Sequence, residues 1–289
     1  MENILKNTRV TLEMIKWEHS IFALPFALTG AVLAAGGCPS LRVLFWILVC
    51  MVSARSAAMA FNRLVDAKLD AANPRTAMRA IPAGHLSQGF VLAFTILAAA
   101  VFLLGAAMLN RLTLELAPVA LAVVLAYSYM KRVTRWSHLI LGLALGIAPA
   151  AAWIAVRGTF APRAVLLTAI VVLWVGGFDV LYACQDFAHD RSVGLFSVPA
   201  AFGMESAFWI ARVMHVGVVV LLFVMLHVFV LGAIATAGMC IVAGLLVYEH
   251  SIVGPKDISR MNAAFFTLNG IISVVFFLSV AMQVLVSKR

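Results

Sequence analysis

The stretch PRAVLLTAIVVLWVGGFDVLYACQDFAHD, residues 162–190, decides the fold. Residues 162–182 form one apolar run whose only charges are Arg163 at its start and Asp179 near its end. A helix crosses a bilayer with roughly 20 apolar residues. The run lacks the alternation of a barrel strand, and in lipid a spanning backbone is otherwise satisfied only as a helix. At its end the chain turns acidic, with Asp179, Asp186 and Asp190 in quick succession.

Working outward, eight more apolar runs are found, at about 20–37, 41–61, 86–109, 112–130, 138–156, 206–228, 230–249 and 262–286. Nine spans would use about 180 residues, and 64% of the 289 residues are hydrophobic. Only 11% are charged, against about a quarter in a soluble domain. The composition excludes an ordinary soluble enzyme, a disordered chain and a disulfide scaffold. The expected fold is all-α: a polytopic bundle of nine transmembrane helices forming one domain over residues 1–289. Cys38, Cys50, Cys184 and Cys240 show no C-x-x-C spacing, which indicates neither a zinc site nor a disulfide framework. Ala35-Gly36-Gly37-Cys38 has a faint look of a lipoprotein cleavage site. Glu2, Glu13 and Glu18 before the first run, and the eight runs after it, argue against a leader.

The net charge of +9 comes from basic residues spread over short loops, which fits membrane topology better than nucleic acid. With nine spans the termini lie on opposite sides. Thirteen Lys and Arg fall on the N-terminal side, six on the other, and Arg55 and Arg212 within spans. The positive-inside rule then places the N-terminus and the two long connections, about 62–85 and 183–205, in the cytoplasm of a cell whose inner membrane holds the protein. The C-terminus lies opposite.

Five of the six aspartates fall in two clusters on that cytoplasmic face. Asn62, Asp66 and Asp70 are spaced by four, so on a helix their oxygens line one stripe about 12 Å long. Asp179, Tyr182, Asp186 and Asp190, at offsets of 0, 3, 7 and 11, fall within a stripe of roughly 80°. Clustered carboxylates repel unless something positive lies between them. Oxygen ligands on two facing helices suit Mg²⁺, which takes one or two carboxylates and holds substrate phosphates. The basic residues Arg75 and Arg79, in a loop punctuated by Pro74, Pro82 and Gly84, could fork onto phosphate oxygens. Lys131 and Arg132 close the fourth span on the same face, where anchoring at the membrane edge is the plainer account of each alone.

These residues carry a family resemblance over nearly the whole chain. Asn62, Asp66 and Asp70 match the N-x-x-x-D-x-x-x-D motif of the UbiA superfamily of intramembrane prenyltransferases. Asp179, Tyr182, Asp186 and Asp190 match its D-x-x-Y-x-x-x-D-x-x-x-D motif. Arg75, Thr76, Arg79, Ile81, Pro82 and Gly84 match the R-T-x-x-R-x-[IL]-P-x-G loop, and Tyr127, Lys131 and Arg132 resemble Y-x-x-x-K-R, with Ser128 where many members have proline. The opening from Ile15 to Ala27 resembles the 4-hydroxybenzoate polyprenyltransferase-like branch, which includes members assigned to the futalosine route to menaquinone. The R-x-D-K-P opening common in the ubiquinone enzymes is absent.

The resemblance implies a central cavity open sideways to lipid, and two Mg²⁺ ions bridging Asn62, Asp66, Asp70, Asp179, Asp186 and Asp190 to the diphosphate of a polyprenyl donor. Arg75, Arg79, Lys131 and Arg132 would steady the departing pyrophosphate. The allylic cation left behind would be attacked by an aromatic acid, 4-hydroxybenzoate or a dihydroxynaphthoate, in respiratory quinone biosynthesis. Asp66, Asp70, Asp186, Asp190 and Tyr182 are the expected catalytic residues. Lys16, His19 and Arg55 are candidates for the acceptor carboxylate. Phe22, Phe26, Phe61 and Phe178 are further aromatic candidates for steadying the cation. His85, His138, His189, His215, His227 and His250 show no ligand spacing and read as packing residues. No protein partner is implied.

A secondary transporter would also be polytopic and rich in functional carboxylates. It would place them near the midplane on broken helices, often within inverted repeats. Here the acids sit at span ends on one side, and Asp179, deeper in its span, is the residue that best fits transport. A channel would want a symmetric ring of acids.

Overall fold

The computed structural model describes residues 2–15 and 20–287, which are helical with no strand. In chain order the helices are α1 (Glu2–Ile15), α2 (Ser20–Ala35), α3 (Leu41–Val65), α4 (Ala67–Ala72), α5 (Gln88–Leu109), α6 (Arg111–Met130), α7 (Ser137–Arg157) and α8 (Pro162–Ala183). A 3₁₀ turn, Cys184–Asp186, leads into α9 (Phe187–Val193), followed by α10 (Val198–Phe202), α11 (Met204–Val228) and α12 (Ala233–Ile252). A π-helical turn, Ala263–Leu268, runs into α13 (Asn269–Ser287). Local chemistry sets several starts. The side chains of Ser40, Ser87 and Asn110 accept from the backbone N–H of Val43, Phe90 and Thr113 and open α3, α5 and α6. Each such cap contributes about 1 kcal/mol. Pro162 fills the first turn of α8, where its missing N–H costs nothing.

Among the described residues eight helices are long and apolar enough to cross a membrane, where nine spans were expected. The difference is α2. It has 16 residues, and only Leu24–Ala35 is counted as its apolar part. Those sixteen residues reach about 24 Å, and residues 16–19 just before them lie outside the described residues. The helix stops because Gly36 takes a left-handed φ of 58°.

Neighbouring helices close a ring in the order α2, α3, α5, α6, α7, α8, α11, α12, α13 and back to α2, with α2 also packed on α7. The ring is filled unevenly. Phe26, Trp174, Met225, Met239 and Phe276 lie in one apolar core that joins α2, α8, α11, α12 and α13. The other half, bounded by α3, α5, α6, α7 and α8, encloses a cavity of about 1460 Å³. Along α6 its lining runs from Thr113 to Lys131. Eighteen residues correspond to about 27 Å, so the cavity extends through most of a bilayer core.

Close backbone approach draws α7 to its neighbours. A Cβ on Gly30 of α2 would collide with the Pro149 carbonyl, and one on Gly142 of α7 would collide with the backbone of Val172 on α8. Without a hydrophobic drive between helices in lipid, such small-residue contacts hold a bundle together. Gly142→Val is therefore expected to destabilise the bundle by about 1–3 kcal/mol. Gly244→Ala, where the added Cβ meets nothing within 4 Å, should be close to neutral. Thermal unfolding of the two variants in detergent checks the contrast.

Candidate active site

Asn62, Asp66 and Asp70 form one stripe and Asp186 and Asp190 part of the other, and the chain bends at Asp66 in the first and at Asp186 in the second. Asp66 ends α3 with φ −91° and ψ 3°, and Asp186 ends the 3₁₀ turn with φ −98° and ψ 5°. Both lie in the sparsely populated bridge region, where many active-site residues sit. The first stripe stays continuous through the bend, because Asp66 N–H donates to Asn62 C=O (2.9 Å) and Asp70 N–H to Asp66 C=O (2.7 Å). Asn62, Asp66, Asp70, Asp186 and Asp190 all line the same end of the cavity.

The positive residues expected between the acids are present as paired arginines. Arg75 forks onto Asp186 through Nε (2.9 Å) and Nη2 (2.6 Å), and its Nη1 donates to the Tyr182 hydroxyl at 3.3 Å. Arg79 Nη1 donates to Asp70 at 2.6 Å. Arg132 Nη2 donates to Asp66 at 2.7 Å. Arg63, buried, stands 3.8 Å from the second Asp70 oxygen. Burial pushes the Asp66 carboxyl above the usual carboxylate range, and the charge and hydrogen bond of Arg132 oppose that shift. For Arg75, burial works against the cation and Asp186 outweighs it, so the guanidinium holds its proton more tightly than usual.

The loop after α4 presents these arginines in fixed positions. The Asn73 side chain accepts from Arg75 N–H at 2.9 Å, forming an Asx turn, and its amide donates to Asp186 at 3.4 Å. Thr76 Oγ1 donates to the Asp70 carbonyl at 3.0 Å. Gly84, at φ 73°, closes the loop with a left-handed conformation that a side chain would strain.

Other expected residues fall elsewhere. Arg132 does not line the cavity: its remaining donor capacity serves Ser128 C=O (2.9 Å) and Val65 C=O (3.0 Å), so it backs Asp66 and ties α6 to α3. Lys131 does line the cavity, and its charge acts on Asp66, Asp186 and Asp190. Asp179 lines the cavity about 10 Å along the helix from Asp186. Its hydrogen-bond partner is His138, at 2.7 Å, and not the other acids. Arg55 lines the cavity two turns deeper than Asn62. Lys16 and His19 lie outside the described residues.

Of the aromatic candidates, Phe26 is buried in the packed core beside Trp174, and Phe61 packs edge-on to Tyr129 off the cavity. The side chain of Phe22 is outside the described set. Phe178 and Tyr182, both expected, do line the cavity, and Phe265 and Phe266 join them in an aromatic wall. Phe265 stacks on Tyr182 with ring centroids 4.0 Å apart. The π-helical turn widens the helix so that these two consecutive residues both reach the cavity. Sequence spacing gave no sign of Phe265, Phe266, Asn73, Arg63 or His138. The Asx-forming Asn-Pro at residues 73–74 was the one available local signal.

The donor set fits a hard divalent cation shared with phosphate. The Asp70 and Asp190 Oδ2 atoms are buried without a hydrogen-bond partner and retain lone pairs for a cation. Among the described residues no three His, Cys, Asp or Glu side chains converge into a metal cage. Mg²⁺ uses one or two carboxylates and completes its shell with water and substrate phosphate.

Comparison with known proteins agrees with this geometry. Residues 23–279 match the UbiA prenyltransferase family. The chain is 31% identical over 254 residues to a 4-hydroxybenzoate octaprenyltransferase of Photobacterium profundum, covering 88% of each protein. It is 32% identical over 241 residues to the enzyme of the same name from Vibrio cholerae, covering 82% of this chain and 83% of that one. A UbiA homolog from Aeropyrum pernix K1, solved in its apo form, superposes with a TM-score of 0.85 at 32% identity, over 93% of this chain and 98% of the other. A UbiA homolog from Archaeoglobus fulgidus bound to DMAPP and Mg²⁺ shares the fold, with a TM-score of 0.70 at 18% identity over 95% and 98% of the two chains. A long apolar helical ring, two acidic stripes at one end of its cavity and these relatives lead to one conclusion: the chain is a multi-pass membrane protein belonging to the UbiA prenyltransferase family.

Proposed function

We propose that this protein, working as a single unit over residues 1–289, transfers a polyprenyl group from its diphosphate to a phenolic aromatic acid at the cytoplasmic face of the inner membrane. The observation that carries the reading is the ring of paired carboxylates and arginines at one end of an apolar cavity of about 1460 Å³. The polar end suits a diphosphate, and the apolar remainder suits its prenyl chain. DMAPP and Mg²⁺ in the fold neighbour, and the names of the relatives, support the same assignment.

Asn62, Asp66, Asp70, Asp186 and Asp190 would hold Mg²⁺, two ions in our reading. When bound, the metal supplies Lewis-acid stabilisation of charge on the phosphoryl oxygens. The protein's own residues do the rest. Arg75 and Arg79 exchange their carboxylate partners for diphosphate oxygens, and Lys131 adds a third cation. Arg132 keeps Asp66 in place. As the C–O bond to the diphosphate breaks, Phe178, Tyr182, Phe265 and Phe266 present ring faces to the allylic cation and shield it from water. Arg55, deeper in the cavity, pairs with the acceptor carboxylate and directs the phenol ring toward the cation. The names of the relatives support a place for the reaction in respiratory quinone biosynthesis.

The test is product identity. Membranes given Mg²⁺, geranyl diphosphate and either 4-hydroxybenzoate or a dihydroxynaphthoate should yield a prenylated acid from one of the two, identified by mass. The named relatives favour the benzoate, and the missing R-x-D-K-P opening favours the naphthoate. No prenylated product from either, with uptake of a solute in its place, would overturn the reading in favour of transport. Asp66→Asn and Asp186→Asn should each lower turnover by a factor on the order of 10² or more, with membrane insertion intact; near wild-type rates in both would sink the two-stripe site. Arg55→Leu should raise the acceptor KM at least about tenfold, the loss of one charged contact. The donor KM should change much less, and an equal rise in both would exclude an acceptor role.

A further inference from the structure

Asp179 and His138 stand apart from the metal-binding acids. His138 is the second residue of α7 and is 1% exposed. Its Nδ1 lies 2.7 Å from Asp179 Oδ2 on α8. Its Nε2 lies 3.2 Å from the backbone N of Val198, at the first turn of α10. An amide N–H can only donate, so Nε2 must accept, and the ring hydrogen is placed on Nδ1. Nδ1–H therefore donates to Asp179, whose Oδ2 is held as an acceptor. Among the described residues no other side chain hydrogen-bonds Asp179. The carboxylate lines the cavity beside Phe178 and Tyr182, about 10 Å along the helix from Asp186. It thus faces the space below the diphosphate end, where the prenyl carbon and the acceptor ring must meet. This is the arrangement of a base oriented by a third group.

Resting on the transferase reading above, we propose that Asp179 receives the proton displaced from the aromatic acceptor, and that His138 is the positioning residue that keeps it ready to do so. The bonds balance. The donor C–O bond breaks and its electron pair leaves on pyrophosphate. A ring carbon of the acceptor supplies the pair for the new C–C bond. The hydrogen on that carbon leaves as a proton to the free Asp179 oxygen, and its bonding pair restores the aromatic ring. The Val198 contact serves this step by denying His138 the other tautomer. It also joins α10, just beyond the second acidic stripe, to the base.

The proposal separates two events that a merely structural pair would not separate. Ionisation of the donor needs the metal-binding acids, and product formation needs the base as well. In membranes with Mg²⁺, geranyl diphosphate and the accepted aromatic acid, pyrophosphate, geraniol and prenylated acid are measured together. In Asp179→Asn and His138→Leu, prenylated product should fall more steeply than pyrophosphate release, so that the ratio of geraniol to product rises about tenfold or more. His138→Asn, whose side-chain amide can replace the Nδ1 donor, should restore most of the product that His138→Leu loses. Parallel loss of pyrophosphate release and product in Asp179→Asn would place Asp179 in ionisation and overturn the proposal. His138→Asn behaving like His138→Leu would reduce His138 to packing and overturn it also. A wild-type protein that releases no pyrophosphate and forms no product would instead overturn the transferase reading, and this proposal with it.

Discussion

Carboxylates gathered at the end of an apolar cavity cannot face one another unneutralised, and this constraint organises the rest of the structure. Asp186 is held by Arg75, Asp70 by Arg79 with Arg63 nearby, and Asp66 by Arg132. These pairs do more than cancel charge. Arg75 joins the loop after α4 to the end of α8, and Arg132 joins the end of α6 to the end of α3. The same contacts that relieve repulsion therefore assemble the site from four separate parts of the chain. A buried ion pair is a weak source of stability. In the proposed reaction its use would be to keep acids and cations together until the diphosphate exchanges with the carboxylates.

The uneven filling of the ring serves the same end. Trp174, Phe26, Phe276 and the methionines of α11 and α12 make a packed half that gives rigidity. The hollow half can then be lined by small residues such as Ala54, Ala58, Ala117, Ala120, Ala144, Ala148 and Ala151 without collapse. The proposed prenyl donor would have room there, and water finds few polar groups to hold it. The aromatic wall lies next to the acids, where the proposed reaction would form its cation.

What could be read from the sequence follows from the range of each interaction. The spans, the two acidic stripes and the arginine loop are local patterns, set by periods of three to four residues and by Pro and Gly. They were legible to within a few residues. What lies across from a side chain is not a local property. Asp179 fits the periodicity of its stripe, yet it turns to His138, 41 residues earlier on the antiparallel neighbour α7. Phe26 and Phe61 were candidates for steadying the cation of the implied mechanism, but the packing of α2 and α3 directs them away from the cavity. Phe265 and Phe266 reach it only because a π-helical turn breaks the ordinary helical period.

The central claim is that both acidic stripes act as one site for a divalent cation and a diphosphate. Binding of Mn²⁺ in place of Mg²⁺ to the purified protein, followed by electron paramagnetic resonance with and without pyrophosphate, tests it most directly. The account predicts that pyrophosphate promotes Mn²⁺ binding, and that loss of a carboxylate from either stripe weakens that binding to a similar degree. Binding that is indifferent to pyrophosphate, or that survives unchanged when one stripe is disabled, would contradict it.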